Sequence, residues 1–162
     1  MCAKRIPRSE TQSEAIAKLV RDKQGNDKEK EKNKFFSEYW ELLLFSSALG
    51  YHLGSSLPLT DDDGNDDAES GKAIDQESFK GCSDWPGYIY LLSLVKTNDS
   101  DCLNDTEDND HSRVQIFSEY ANGGLDYIRR EAYFEYDPLE FAQKLMDLSS
   151  EENGDDIGEL RL

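Results

Sequence analysis

Cysteine, histidine, proline and methionine are all scarce in this chain of 162 residues, which holds three, two, four and two of them respectively. Cys2, Cys82 and Cys102 are odd in number and form no C-x-x-C pair, so neither a disulfide framework nor a thiolate metal site is expected. His52 and His111 belong to no H-E-x-x-H pattern, and the sequence has no G-x-S-x-G, P-loop or G-x-G-x-x-G run. A nucleophile with its base and orienting group is therefore not legible. The expectation is a protein without catalytic residues, cofactor or metal. Long apolar runs are missing too: Ser, Glu or Gly interrupts each one well before the roughly 18 residues a membrane helix needs. Residues 1–8 are too polar for the apolar part of a secretory signal, so a reducing cytoplasm is the expected compartment.

Positive charge is the remaining shortage. There are 18 Lys/Arg against 35 Asp/Glu, a net charge of −17. Such a balance argues against a broad DNA-coating surface and disfavours attachment to anionic lipid, because both need clustered Lys and Arg. The imbalance is uneven. Residues 1–34 hold ten basic and six acidic side chains, whereas residues 35–162 hold eight and 29. The chain reads as a basic N-terminal helix and linker (1–34), a helical core (35–149) and an acidic tail (150–162).

What is present is a small set of apolar segments. Ser9 and Gln12 form a capping-box pattern that starts a helix over about 9–23, with Ala15, Ile16, Leu19 and Val20 on one face. The run FFSEYWELLLFSSALGYHLG from Phe35 is apolar on most sides, which predicts a central helix packed by several neighbours. Residues 60–72, TDDDGNDDAESGK, bury nothing, and AIDQESF at 73–79 suits either a short strand or a helical turn. Asp84 and Pro86 open a helix over Trp85–Lys96 in preference to a buried strand. A second acidic stretch follows. Next comes a helix over about Ser112–Tyr133, interrupted by Asn122, Gly123 and Gly124. Two glycines there cost about 2 kcal/mol relative to alanine, which predicts either a break or a backbone approach too close for a Cβ. Asp137, Pro138 and Glu140 open a last helix, with Phe141, Leu145, Met146 and Leu148 along one face. The fold class is all-α: an irregular single-domain bundle of about five or six helices with acidic loops.

Carboxylates are plentiful enough to test for cation sites. Asp99, Asp101, Asp105, Glu107 and Asp110 have ligand-like spacings, but Leu103 occupies a ligand position and Asn104 the turn glycine, so a solvated loop is the reading. Glu38 and Glu41, spaced as a helical pair, carry no further signal for acid–base catalysis. Aromatic residues divide into a core set on the 35–51 segment and a cluster, Tyr133, Phe134 and Tyr136, that suits an exposed interaction patch.

Two blocks stand out as a pair: ELLLFSSALGYHLGSSLPL at 41–59 and IFSEYANGGLDYIRR at 116–130. With the intervening YIYLLSLV, they resemble the accessory family called dnd system-associated protein 4, encoded beside DNA-phosphorothioation defence genes. EYANGGL is the more specific block. The likeness covers about residues 36–148, and the matching positions are Gly50, Tyr51, Gly54, Pro58, Glu119, Tyr120, Ala121, Asn122, Gly123 and Gly124. The resemblance implies a role in phosphorothioate-linked defence and supplies no catalytic residue. It leads to an adaptor that docks on a larger protein of the same defence system, with Glu119, Tyr120, Asn122, Gly123, Gly124, Tyr133, Phe134 and Tyr136 as candidate partner-binding residues. The alternative is direct DNA contact through Lys4, Arg5, Arg8, Lys28, Lys30, Lys32 and Lys34 of the arm, with modified sites selected by the body.

Overall fold

A carboxylate sets where the first described helix begins. Glu41 accepts hydrogen bonds from the backbone N–H groups of Ser37 (2.8 Å) and Glu38 (3.1 Å), satisfying amides that a helix start leaves without partners. Helix α1 therefore spans Tyr39–His52. Phe35 and Phe36, expected inside it, precede it: the Phe36 N–H donates to the Leu19 carbonyl (3.1 Å), and Val20 forms a parallel bridge with Phe36. The structure, a computed structural model, describes residues 5–7, 19–20, 35–59, 73–82, 84–131 and 138–151.

Past α1, Gly54 adopts the left-handed conformation (φ 62°) and the chain leaves the helix as an irregular stretch over 55–59. Strands β1 (Arg5–Pro7) and β2 (Ala73–Asp75) pair antiparallel, with Ile6 opposite Ile74. A 3-10 turn over Gln76–Gly81 follows directly. The 73–79 segment is thus strand and then helical turn, both of the forms its sequence allows. That turn drops Phe79, 1% exposed, into the core. Its ring stacks on Trp85 at 4.0 Å and meets Phe117 edge-on at 5.9 Å. Burying such a ring is worth about 2 kcal/mol or more, so this short turn is held by what it inserts.

Helix α2 spans Trp85–Thr97, with Pro86 in its first turn and Asn98 closing it at φ 53°. Helix α3 runs unbroken from Glu107 to Glu131. It starts earlier than expected because the Thr106 hydroxyl accepts from the Asn109 N–H (3.2 Å), a cap inside the acidic stretch. Helix α4 spans Pro138–Glu151, opening on the expected proline. Leu145 packs against the core, whereas Met146 is 64% exposed and leaves the face assigned to it.

Four α-helices are described, and the fold is predominantly helical. The central position belongs to α3 rather than α1, since α1 and α2 each pack on α3. Leu42, Leu43, Phe117, Leu125 and Ile128 form the dry centre. Of the expected N-terminal helix, Leu19 is helical and buried in that core, Val20 leaves the helical pattern for its bridge to Phe36, and the rest lies outside the described residues. No described helix is long and apolar enough to cross a membrane.

Candidate functional site

The crossing of α1 and α3 is built from the two blocks that carry the family resemblance. Ser46 and Gly50 lie one turn apart on α1 and face Tyr120 and Gly124 on α3. A Cβ placed on Gly50 would run into the Tyr120 carbonyl oxygen and come within 3.0 Å of the Gly124 nitrogen. One on Gly124 would strike the Ser46 carbonyl, with the Ser46 carbonyl carbon at 2.7 Å. One on Gly123 would meet Ser55, whose backbone carbon lies at 2.7 Å. All three obstacles include backbone, so no side-chain rotation makes room. The glycine pair is a close approach and not a break. Its cost in helix propensity is offset by dispersion contacts between backbones that any Cβ would separate.

The segment leaving α1 is fastened to the same face of α3. The Leu57 N–H donates to the Glu119 carbonyl (3.1 Å), and the Ser56 hydroxyl to the Glu119 carboxylate (3.2 Å). The Asn122 amide donates to the Pro58 carbonyl at 2.7 Å. Pro58 cannot continue a helix, and Asn122 gives its carbonyl a donor. Tyr120 is buried, with the exposed Tyr51 ring at its edge (5.8 Å) and the Lys96 ammonium 5.3 Å from its ring centroid.

These contacts locate the candidate partner-binding residues. Tyr120, Asn122, Gly123 and Gly124 are buried, and Glu119 is half-buried along the 55–58 segment. Tyr133, Phe134 and Tyr136 lie outside the described residues. So do all the arm residues assigned to DNA except Arg5, whose backbone pairs with Asp75 in the β1–β2 ribbon. The first helical block is brought against the second, and of the arm's described residues β1 packs on α3 and Leu19 joins the core.

A second constellation escaped sequence reasoning. Arg113, 2% exposed, lies nearly two turns into α3 and gathers the acidic stretch around itself. Its guanidinium donates to the carbonyls of Cys102 (2.5 Å) and Asn104 (3.3 Å), pairs with Asp110, and lies 3.9 Å from Asp105. Its carbon sits 4.1 Å from the centroid of the Tyr90 ring on α2. The Tyr90 hydroxyl donates to Asp105 at 2.5 Å. That bond to a carboxylate, followed by burial, raises the Tyr90 pKa above 10.0, and the Arg113 charge opposes the rise. The Asn109 amide adds donors to the carbonyls of Asp101 (2.8 Å) and Asn104 (3.0 Å). The stretch expected to be a solvated loop is a 3-10 turn over Ser100–Leu103 tied to two helices. The available signal was the lone Arg at i+3 from Asp110, next to an otherwise acidic run.

Chemically, this knot fills the coordination of its members. Asp105 and Asp110, two of the five residues in the cation-ligand spacing, face Arg113. Glu41, half of the carboxylate pair, caps α1. Among the described residues no group of three or more His, Cys, Asp or Glu could hold a metal ion. Cys82 and Cys102 are free thiols.

No curated protein and no solved structure matches the chain. A family described as DNA sulphur modification system-associated protein 4 matches residues 5–159, beyond both ends of the 36–148 stretch in which its motifs were legible. The match takes in both glycine blocks, the Arg113 knot and the β1–β2 ribbon, and the chain belongs to that family.

Proposed function

We propose that this chain is a non-enzymatic cytoplasmic adaptor of an antiviral, phosphorothioation-linked restriction–modification system, docking on a larger protein of that system. Family membership ties it to DNA sulphur modification. The observation that carries the adaptor reading is the use made of the family's most specific residues. Gly50 of the first block and Gly123 and Gly124 of EYANGGL are spent on close backbone contacts inside the molecule, which suits a scaffold. A partner meets the outside of that scaffold, where carboxylates predominate. The net charge of −17 steers such a surface toward a basic, DNA-handling protein and away from DNA itself.

The test is affinity capture of the tagged full-length chain from its native host, with mass spectrometry of what is retained at low and moderate salt. Recovery of a larger protein from the same defence locus, lost when salt screens the contact, is the expected result. A capture free of any such protein, alongside a low-salt mobility shift of DNA that depends on residues 1–34, would overturn the adaptor reading in favour of direct DNA handling.

A further inference from the structure

Helix α2 turns Trp85, Ile89, Leu92 and Ser93 into the core. On its outer side, Leu91 is 59% exposed and Val95 48% exposed, one helical turn apart. Gly87, one turn earlier, is exposed and has nothing within 4 Å of where its Cβ would stand. The half-buried Leu94 lies beside this stripe. An isolated exposed leucine needs no explanation, but a row at i, i+4 beside an open glycine is a track shaped for another helix.

The ends of the track are charged. Asp84, immediately before α2, falls on the same helical stripe, and Asp99 follows just past its end; both are exposed. The turn after α2 packs back on the helix and adds Asp101, also exposed. Residues 84–112 hold seven carboxylates and one lysine. That lysine, Lys96, lies over the Tyr120 ring. The nearby Arg113 is buried and already faces Asp105 and Asp110, so it presents no charge to a visitor. An apolar track fenced by carboxylates at both ends opposes a second copy of itself, because acid would meet acid.

We infer that the outer face of α2, Gly87–Leu91–Val95 between Asp84 and Asp99, docks a basic amphipathic helix of a partner protein. Leucine-like anchors of that helix cover Leu91 and Val95, and its flanking Lys or Arg side chains meet the carboxylates. The inference rests on the adaptor reading and names the surface that reading would use.

The test uses the full-length protein, methyl-labelled for NMR, and a synthetic helix of about 15 residues made of Leu and Lys, with leucines at i, i+3, i+4 and i+7. Binding shifts the methyl signals of Leu91, Leu94 and Val95, and weakens as salt rises. Leu91→Ala with Val95→Ala weakens it about tenfold or more with an unchanged melting temperature, and Leu91→Glu with Val95→Glu does the same. The inference fails if the shifts map to another face, if the double variants bind as the parent does, or if a Leu/Glu helix binds equally well. It also fails if the stripe signals move with protein concentration alone, which would make a second copy the occupant. Capture from the native host then separates the two claims. A defence protein retained equally by the parent and by Leu91→Glu/Val95→Glu sinks this surface and leaves the adaptor. No defence protein retained by the parent sinks the adaptor, whatever the synthetic helix does.

Discussion

The α1–α3 crossing and the Arg113 knot hold neighbouring parts of one helix by opposite means. At the crossing, side chains are removed: Ser46, Gly50, Gly123 and Gly124 let carbonyls and Cα atoms touch, and specificity comes from there being no room. At the knot, a single long side chain is added, and five groups from two helices and a turn are arranged around its charge. The first contact is short-ranged and unaffected by salt. The second is partly wet, since Asp105 is 85% exposed, and is screened accordingly. The difference teaches that the acidic composition of this chain is compatible with a rigid fold because the packing that matters most uses no charge at all.

The sharpest way to break this contrast is Gly124→Ala. One methyl group must displace the Ser46 backbone, so the helices separate along the whole crossing, and a loss of about 3 kcal/mol or more is expected. Thermal unfolding followed by circular dichroism checks it, and a change below about 1 kcal/mol would mean that the crossing is looser than described. Arg113→Met comes next, at about 2–3 kcal/mol, because it takes the guanidinium away from the Cys102 carbonyl and from Asp110. Its signature is local. Hydrogen exchange should rise over 99–106 while the amides of α1 keep their protection. Equal loss of protection in α1 would show the two regions to be one cooperative unit.

Much of this was readable in advance, and the failures share a cause. Pro86 and Pro138 announced their helices because the start signal and the helix are the same few residues. Gly123–Gly124 was ambiguous between a break and a close approach, since the deciding partners, Ser46 and Ser55, lie far away in sequence. Phe35 and Phe36 looked helical by spacing; a distant amide bond to Leu19 and the Glu41 cap decided otherwise. The stretch at 98–110 looked solvated because composition counts charges without showing that one arginine faces several of them. The same blindness hid the outer stripe of α2. Leu91 and Val95 belong to an apolar run whose other members, Ile89 and Leu92, do enter the core.

Ser46→Ala sharpens the comparison from inside the crossing. The Ser46 hydroxyl is buried without a hydrogen-bond partner, and alanine keeps the small volume that Gly124 needs. A gain of about 0.5–1 kcal/mol is expected, the opposite sign from Gly124→Ala at the same contact. Destabilisation instead would show that the hydroxyl holds a buried water, and the crossing would then depend on a polar group after all.

Tyr90→Phe is the smallest change and separates charge from packing at the knot. The ring still covers Arg113, and the bond to the highly exposed Asp105 is lost, so at neutral pH the expected cost is about 0.5 kcal/mol. Alkaline pH gives the sharper reading. The phenol's pKa is raised in the folded state, first by its hydrogen bond to the Asp105 carboxylate and then by burial. The folded protein therefore holds this proton more tightly than the unfolded chain. The stabilisation it gives is complete below the ordinary value of 10.0 and is lost as pH climbs through the raised one. Tyr88 moves in the same direction, by burial against the opposing bond to Ser47, and remains in the variant. Stability measured against denaturant above pH 10 should thus fall in both proteins, and less steeply in Tyr90→Phe. Parallel curves would mean that the hydroxyl contributes nothing, leaving the knot to the guanidinium and the ring alone.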